Sequence, residues 1–266
     1  MTKRFLVTGG TGTVGSVVVE HLTTAGNDVR VLSRGRRRQH RPDVQHVVGD
    51  VRTGDGLDAA VDGVDTIVHC VYPAQHLVAA AKRAGSPHLV YVSIVGIDRI
   101  PFGFYRKILA NERLIAGSGL PWTVLRATQF HDLVAVILRM LAKPPVMAVP
   151  SVSDQPVDVR EVGERLARLA LSEPVGRAPD FGGPQVRAFD DLARSYLSIV
   201  GRRRPIAPIR LPGKAFRGFR SGGHLAPDHA AGTITFERYL REQLEAGRLP
   251  YGDAIRDYLR PRKESP

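Results

Sequence analysis

Cysteine is nearly absent from this chain, and its scarcity sets the first limits on function. The 266 residues include one cysteine, Cys70, so no disulfide can form within the chain. This usage fits a reducing cytoplasm, which is the location we predict. Cys70 is either a reactive thiol or a small residue buried in a strand, and the pattern around it favours burial.

Long apolar runs, metal-binding spacings and nucleophile motifs are also missing. A membrane span needs about 20 consecutive apolar residues, whereas the best internal run extends from Leu133 to Leu138. Glycines from Gly9 onward interrupt the N-terminal apolar stretch, so no secretory signal is expected. The nine histidines lack the spacing of a metal site. No G-x-S-x-G elbow indicates a hydrolase. Neither a metal nor a membrane partner is therefore expected.

Acidic residues are missing from 201–220, although this stretch is rich in arginine. A second arginine group follows the second predicted strand, and the net charge is +12. Neither group has the interleaved aromatic residues of a single-strand binder or a recognisable DNA-reading motif, so a nucleic-acid partner is not expected. A homodimer and an acidic protein partner for the 202–220 segment both stay open.

Short apolar runs alternate with helical patterns through the first half of the chain, as in a doubly wound parallel sheet. The predicted strands fall at 5–7, 29–32, 45–48, 66–69, 89–93 and 122–125. After Arg126 the regularity weakens, and from Pro174 onward glycine and proline become dense. We therefore predict an α/β Rossmann domain over 1–130. A smaller, irregular substrate-side lobe over 131–266 is expected to be interleaved with that core rather than independent.

The strongest motif is a glycine-rich turn between the first strand and the first helix. It reads Thr8-Gly9-Gly10-Thr11-Gly12-Thr13-Val14-Gly15, with the spacing G-x-x-G-x-x-G. Glycines there permit a tight turn, a close approach of the backbone to a pyrophosphate and tight packing of the helix on the strand. The helix N-terminus then favours the negative charge of the pyrophosphate. The motif predicts a dinucleotide site.

The residues after the second strand predict which dinucleotide binds. NAD-selective proteins place an acidic residue there to bond the ribose 2′-hydroxyl, but this chain has Ser33, Arg34 and Arg36 and no acid nearby. A guanidinium binds a 2′-phosphate in a bidentate fork. We therefore predict NADP(H), with Arg34 as the leading contact. Asp50, after the third strand, lies near the adenine or simply caps a turn.

Three stretches carry a family resemblance beyond the glycine turn. They are Ser93-Ile94-Val95-Gly96-Ile97-Asp98, the segment from Leu120 to His131, and Gln155–Val159 followed by Gly182-Gly183-Pro184. Together they resemble the NmrA-like branch of atypical short-chain dehydrogenases/reductases, over most of the chain. Members include NADPH-dependent reductases of quinones and related substrates, and proteins that bind NADP and regulate a partner.

The resemblance implies a set of cofactor contacts. Those at the adenine and phosphate end are Gly9, Thr11, Gly12, Thr13, Val14, Arg34, Asp50 and Val51. Those after the fourth strand are Cys70, Val71 and Tyr72. Those implied at the nicotinamide end are Ile94, Val95, Thr128 and Phe130.

Reductases of this kind use a serine and a Tyr-x-x-x-Lys pair, whose members share one helix face. Ser93 matches the serine, but an alignment on Glu112 puts Phe104 and Ile108 at the other two positions. Tyr105 and Lys107 are two residues apart and point to nearly opposite sides of a helix. The candidate catalytic residues are therefore Ser93, Tyr105 and Tyr72; His69 and His131 are further candidate acids that a structural hydrogen bond also explains.

Two functions follow from these observations. The first is an NADP(H)-dependent oxidoreductase acting on a small apolar or aromatic carbonyl, enone or quinone-like substrate. Its pocket is expected beyond the carboxyl edge of the sheet, with candidate walls at Phe102, Phe104, Tyr105, Phe130 and Met140. The second, favoured by the missing Tyr-Lys pair, is a non-catalytic NADP(H)-binding redox sensor or regulator that acts through a protein partner.

Overall fold

The computed structural model of the chain describes residues 3–35 and 42–247. Its strands are β1 (Arg4–Thr8), β2 (Asp28–Ser33), β3 (Gln45–Val48), β4 (Thr66–His69), β5 (His88–Ile94), β6 (Trp122–Ala127), β7 (Met147–Pro150), β8 (Ser153–Asp154), β9 (Gly176–Arg177), β10 (Arg187–Ala188) and β11 (Ile206–Ile209). Its α-helices are α1 (Thr13–Thr24), α2 (Leu57–Val61), α3 (Gln75–Arg83), α4 (Gly103–Ala116), α5 (His131–Leu141), α6 (Val159–Leu171), α7 (Phe189–Ile199), α8 (Lys214–Arg220) and α9 (Phe236–Glu245). The sequence also predicts a helix over 251–259, which lies outside the described residues.

Seven strands form one parallel sheet in the order β3-β2-β1-β4-β5-β6-β9. The central strands are rich in Val, Ile and Leu because helices cover both faces of such a sheet; every residue of β4, including Thr66 and His69, is buried. The predicted Rossmann-like α/β fold is confirmed. The strand order reverses between β1 and β4, and at such a point the carboxyl ends of the strands form a crevice that binds ligands.

The chain divides into two compact units, Met1–Ala127 with Val159–Phe181, and Thr128–Asp158 with Gly182–Pro266. The predicted boundary at residue 130 differs from this division, because α6 and β9 return to the first unit. Gly163 allows the return: a Cβ there would lie 2.6 Å from Val17 Cγ1, so only glycine lets α6 lie this close to α1. Strand β9 then adds to the sheet beside β6.

The second unit has its own apolar core and two small sheets. Helices α5, α7 and α9 pack with β7 through buried residues that include Leu138, Leu192 and Tyr239. Strand β11 pairs with β7 in parallel, and β10 pairs with β8 antiparallel. Gln155 is fully buried, and its amide bonds Gly183 O and both backbone groups of Ala226 at 2.8–3.2 Å. This glutamine therefore ties three segments of the unit together.

Asp154 in this unit is a buried carboxyl that accepts the Gln155 N–H at 2.7 Å. Burial raises its pKa to about 7. The folded chain thus prefers the neutral acid, so the stability that Asp154 contributes is present below pH ~4 and is lost as the pH rises through 7. We expect Asp154→Asn to raise the free energy of unfolding at pH 8 by about 2–4 kcal/mol and to change it little at pH 4. Urea unfolding at both pH values measures this.

The exposed Asp228, in the same unit, supplies the matched control. Asp228→Asn removes the same charge from a solvated position, so its effect on the free energy of unfolding is expected within about 0.5 kcal/mol at either pH. An equal effect of Asp154→Asn at pH 4 and pH 8 would contradict the assignment of a neutral carboxyl.

Candidate functional site

The glycine turn packs tightly between β1 and α1. Gly9 has φ +74°, the left-handed conformation that favours glycine, and its carbonyl accepts the Gly12 N–H at 2.8 Å. A Cβ on Gly15 would lie 2.2 Å from Gly9 O, inside van der Waals contact. Gly15 therefore lets the helix start directly against the turn.

The N-terminus of α1 is open to a ligand. Gly12 caps the helix with an extended backbone and without a side-chain cap hydrogen bond among the described residues, and no acidic residue lies in the first turn. Apart from the two neighbouring residues, a Cβ on Gly12 would meet only Gly9 O within 4 Å among the described atoms, so the space around this position is open. Free N–H groups and the positive end of the helix dipole fit a pyrophosphate. Thr11, Thr13 and Val14 complete this turn, and their contacts with the cofactor stay a prediction.

The segment after β4 lies against the glycine turn. A Cβ on Gly9 would come within 2.5 Å of Val71 Cγ1, and the Cys70 N–H bonds Thr8 O at 3.1 Å. The structure thus brings Cys70 and Val71 to the turn with which they are predicted to act. Tyr72 follows and is partly exposed. Burial raises the pKa of the Cys70 thiol to about 12, which disfavours the thiolate that a redox or nucleophilic cysteine needs.

The ends of β2 and β3 lie side by side. The Gly49 N–H donates to Ser33 O at 3.0 Å, which brings the segment containing Asp50 next to Ser33. Asp50 Oδ1 accepts the Arg52 N–H at 2.9 Å, so the carboxylate caps a turn. Val51 is buried, whereas Arg34 is exposed. Arg36, also predicted to contact the cofactor, lies outside the described residues.

Ser93 lies at the carboxyl end of β5, at the same edge of the sheet as the glycine turn. It is buried, and its Oγ has no hydrogen-bond partner among the described residues. Ile94 follows half-buried, and the Val95 N–H bonds Ala127 O at 2.9 Å. Because a buried hydroxyl without a partner costs free energy, this serine is a candidate to bond a ligand.

Helix α4 presents Tyr105 and Lys107 in different environments. Tyr105 is buried with its ring 5.6 Å from that of Phe102, whereas Lys107 is exposed. The residue four positions after Tyr105 is Leu109, so no ammonium lies one turn away on the same face. No hydrogen bond joins Ser93 Oγ to Tyr105. The structure thus places Ser93 and Tyr105, two of the three candidate catalytic residues, in the first unit without a hydrogen bond between them.

A buried polar network that the sequence did not suggest connects these segments. Thr8 Oγ1 bonds His69 Nδ1 at 2.7 Å, and the His69 ring stacks on Tyr91. Asn111 on α4 donates to the Tyr91 hydroxyl and accepts the Ala74 N–H at 3.0 Å, which fixes the segment after β4. Burial lowers the pKa of His69 to about 3, so its imidazole is neutral near pH 7. In the sequence, only the position of Asn111 next to Glu112 on α4 could have indicated that its side chain is buried.

A buried ion-pair cluster supports the same edge of the sheet. Arg126 on β6 makes two bonds to Glu112, at 2.8 and 2.7 Å, and a third to Asp98 at 2.9 Å. Arg126 and Glu112 are almost fully buried. Burial acts to raise the pKa of the Asp98 carboxyl, but the hydrogen bond and charge of Arg126 outweigh it and hold that pKa below its usual range. The cluster joins β6, α4 and the loop after β5.

Three predicted residues lie in the second unit and are held there by its own contacts. Thr128 Oγ1 donates to Gln155 O at 2.6 Å and accepts the Gly183 N–H. Phe130 pairs with Val157 through an isolated parallel bridge. His131 Nε2 bonds Ile234 O at 2.9 Å, which agrees with the structural explanation of this histidine.

The family of the chain follows from comparison with known proteins. A family model described as NAD(P)H-binding matches residues 9–155, which is more than half of the chain and begins in the glycine turn. The chain belongs to the NAD(P)H-binding family. This match confirms the family resemblance that the motifs indicated, and it confirms that the family binds a nicotinamide dinucleotide.

Relatives of this NAD(P)H-binding protein include reductases. It is 29% identical over 212 residues to an NAD(P)H azoreductase of Xenophilus azovorans, with 74% of each chain covered. It is also 29% identical over 216 residues to a (4-alkanoyl-5-oxo-2,5-dihydrofuran-3-yl)methyl phosphate reductase of Streptomyces griseus, again with 74% of each covered. These relatives cover most of the chain.

Solved structures share its fold. An NADPH-dependent quinone oxidoreductase of Escherichia coli superposes with a TM-score of 0.75 at 17% identity, covering 90% of this chain and 99% of that one. A Citrobacter sp. triphenylmethane reductase complexed with NADP(H) gives 0.71 at 20% identity, over 90% and 99%. At such identities the likeness establishes the fold alone.

Residues 3–35 and 42–247 contain neither a metal-binding cluster nor a helix that could cross a membrane. No cluster of three or more His, Cys, Asp or Glu side chains could hold a metal ion there. Within the same ranges, no helix has both the length and the apolar character that crossing a bilayer requires.

Proposed function

We propose that this NAD(P)H-binding protein is an NADP(H)-dependent reductase of small, electron-poor conjugated acceptors such as quinones, enones and azo compounds. The observation that carries the proposal is Ser93. Its buried Oγ lacks a partner among the described residues and lies at the same edge of the sheet as the glycine turn. A polar atom left unpaired in a native interior points to a ligand or a catalytic role.

The selection of NADP(H) rests on Arg34. It is exposed at the carboxyl end of β2, and no ion pair connects it to a carboxylate in the described parts of the chain. A 2′-phosphate supplies the missing counter-charge in a bidentate geometry. Ser33 and Arg36 assist in this proposal, and Asp50 and Val51 border the adenine. Ser33 also lies beside the turn that contains Asp50.

The bound dinucleotide supplies a hydride, and the residues of this chain position the acceptor. Ser93 Oγ donates a hydrogen bond to the acceptor atom on which negative charge develops, so that buried hydroxyl gains its partner. Ile94 and Val95, next along the chain, border the nicotinamide in this proposal. Tyr72 and Tyr105 are the proton donors within the first unit. Conjugated acceptors also take this proton from water, so the reaction does not require a Tyr-Lys pair.

The names of the relatives support this substrate class. The azo, quinone, furanone and triphenylmethane groups in those names are all conjugated systems that can accept a hydride. Within our proposal, the chain lacks the Tyr-Lys pair because conjugated acceptors do not require it as a proton donor.

The reductase proposal is tested by NADPH oxidation at the nicotinamide absorbance with a panel of quinones, enones, azo dyes and simple aldehydes. We expect turnover with conjugated acceptors and little with aldehydes. Ser93→Ala is expected to lower kcat by about 10²-fold or more, since one lost donor to a developing oxyanion costs this much, while the Kd for NADPH stays unchanged. Tight NADPH binding without oxidation of any panel member would instead support the redox-sensor function.

Arg34→Glu tests the cofactor selection separately. Losing a charge-assisted contact of about 1.5–3 kcal/mol weakens NADPH binding about 10- to 100-fold, whereas NADH binding holds or improves. Arg106→Glu is the matched control, because it makes the same change of charge at an exposed position on α4. Equal losses of NADPH and NADH affinity in Arg34→Glu would contradict the assigned 2′-phosphate contact.

A further inference from the structure

The second unit contains an open cavity that the proposed function does not use. It has a volume of about 410 Å³ and lies where the end of α7 meets the start of β11. Four arginines line it, namely Arg194, Arg202, Arg203 and Arg204. Its other walls are Leu197, Ser198, Pro205 and Ile206. Among the described residues, the lining thus combines a concentrated positive charge with one hydroxyl and an apolar side, and it contains no carboxylate.

The local backbone fixes these arginines at the cavity. Helix α7 ends in a turn with Gly201 at φ +66°, and the Arg202 N–H bonds Leu197 O at 2.9 Å while the Gly201 N–H bonds Ser198 O. This is the pattern of a Schellman C-cap, which defines the exit of the chain from the helix. Arg204 Nη1 bonds Arg203 O at 2.9 Å. The turn therefore directs three consecutive arginines to one place.

The charge of the cavity is not neutralised by the described chain. Arg194 pairs with Asp190 at 2.8 Å, but Arg202, Arg203 and Arg204 form no ion pair with any described acidic side chain. The charge of Arg202 also affects Tyr196. Burial raises the pKa of the Tyr196 hydroxyl, and the positive charges of Arg139 and Arg202 oppose that rise. Adjacent positive charges repel each other, and a bound anion offsets this repulsion.

We propose that this cavity binds the phosphate group of a small organic phosphate. Guanidinium groups match phosphate oxygens in bidentate pairs, and Ser198 adds a hydroxyl donor. Leu197, Pro205 and Ile206 provide an apolar wall for the organic part. The volume falls in the range of about 300–1,000 Å³ typical of small-molecule sites. The site is a second anion site, in a different unit from the glycine turn.

The experiment uses the full chain saturated with NADPH, so that the cofactor turn is occupied, and titrates it calorimetrically with phenyl phosphate, inorganic phosphate and phenol. We expect saturable binding of phenyl phosphate, weaker binding of inorganic phosphate and none of phenol. Arg203→Glu and Arg202→Glu are each expected to weaken phenyl phosphate binding at least about tenfold, and to leave NADPH affinity unchanged.

Arg210→Glu is the matched control. It removes the same charge from the same basic segment, but Arg210 does not line the cavity, so less than about a twofold loss is expected. If Arg203→Glu and Arg210→Glu lose equal affinity for phenyl phosphate, the effect comes from net charge alone, and the proposed site is overturned. Absence of binding at millimolar phenyl phosphate would overturn it as well. Either failure leaves the reductase proposal intact, because that proposal rests on Ser93 and Arg34.

Discussion

Replacing Gly15 with alanine is expected to abolish detectable NADPH binding and to lower the free energy of unfolding by about 3 kcal/mol. The added Cβ would lie 2.2 Å from Gly9 O and 2.7 Å from Gly9 C, and both atoms belong to the backbone of the turn. A rigid backbone cannot move aside as the end of a flexible side chain can, so α1 must separate from the turn. Overpacking of this kind costs about 1–3 kcal/mol. Displacement of the helix N-terminus also removes the N–H groups that bind the pyrophosphate.

Two further glycines separate the loss of binding from the loss of stability. A Cβ on Gly12 would lie 3.2 Å from Gly9 O, an approach that a small shift relieves, but it would project into the open space in front of the turn. Gly12→Ala is therefore expected to weaken NADPH binding with a change in stability below about 1 kcal/mol. Gly103 begins α4 in open surroundings, so Gly103→Ala should affect neither property adversely.

Calorimetric titration with NADPH and urea unfolding measure these two properties for all three variants. A Gly15→Ala protein that binds NADPH like the wild type would show that the turn tolerates a side chain, which contradicts the tight packing between Gly9 and Gly15. Normal binding in Gly12→Ala alone would instead place the pyrophosphate elsewhere.

The sheet could be predicted from the sequence because its signals are local. Strands buried on both faces are continuous runs of Val, Ile and Leu, and Gly26 and Gly85 mark the ends of the helices between them. The short β9 gives no such signal, since a two-residue strand is defined only by the β6 edge it joins. Gly163 is likewise interpretable only once α6 is seen against Val17.

The candidate site was predictable where a residue's role follows from its neighbours along the chain. The glycine turn and Arg34 depend on the strand that precedes each of them, and the structure places both at the carboxyl edge of the sheet. Asn111 and His69 depend on partners 20 to 61 residues away. No periodicity reports such contacts, so this polar network emerges only from the fold. Arg36 lies outside the described residues, and its contact with the cofactor stays a proposal.

Truncating Arg126 is expected to be the most destabilising single change outside the glycine turn. Arg126→Met leaves Glu112 buried without its two hydrogen bonds, and removal of one partner from a buried ion pair costs about 3–5 kcal/mol. The double variant Arg126→Met with Glu112→Leu removes both charges and is expected to recover most of this loss, because a well-packed apolar pair often replaces a buried ion pair at little cost. Urea unfolding of the two single variants and the double variant gives the coupling free energy.

The partner Asp98 adds a dependence on pH to the same experiment. Its pKa is held below the usual value in the folded chain, so its contribution to stability is present above the unfolded pKa of about 3.9 and is lost as the pH falls through the folded value. This contribution is small because the Asp98 side chain is 45% exposed and solvent screens the pair. Arg126→Met should therefore flatten the acid limb of the stability profile only slightly, while its main effect persists at pH 7. If the single variant and the double variant prove equally destabilised, the loss arises from packing around Arg126 rather than from an uncompensated Glu112, and the ion pair is not what holds α4 to β6.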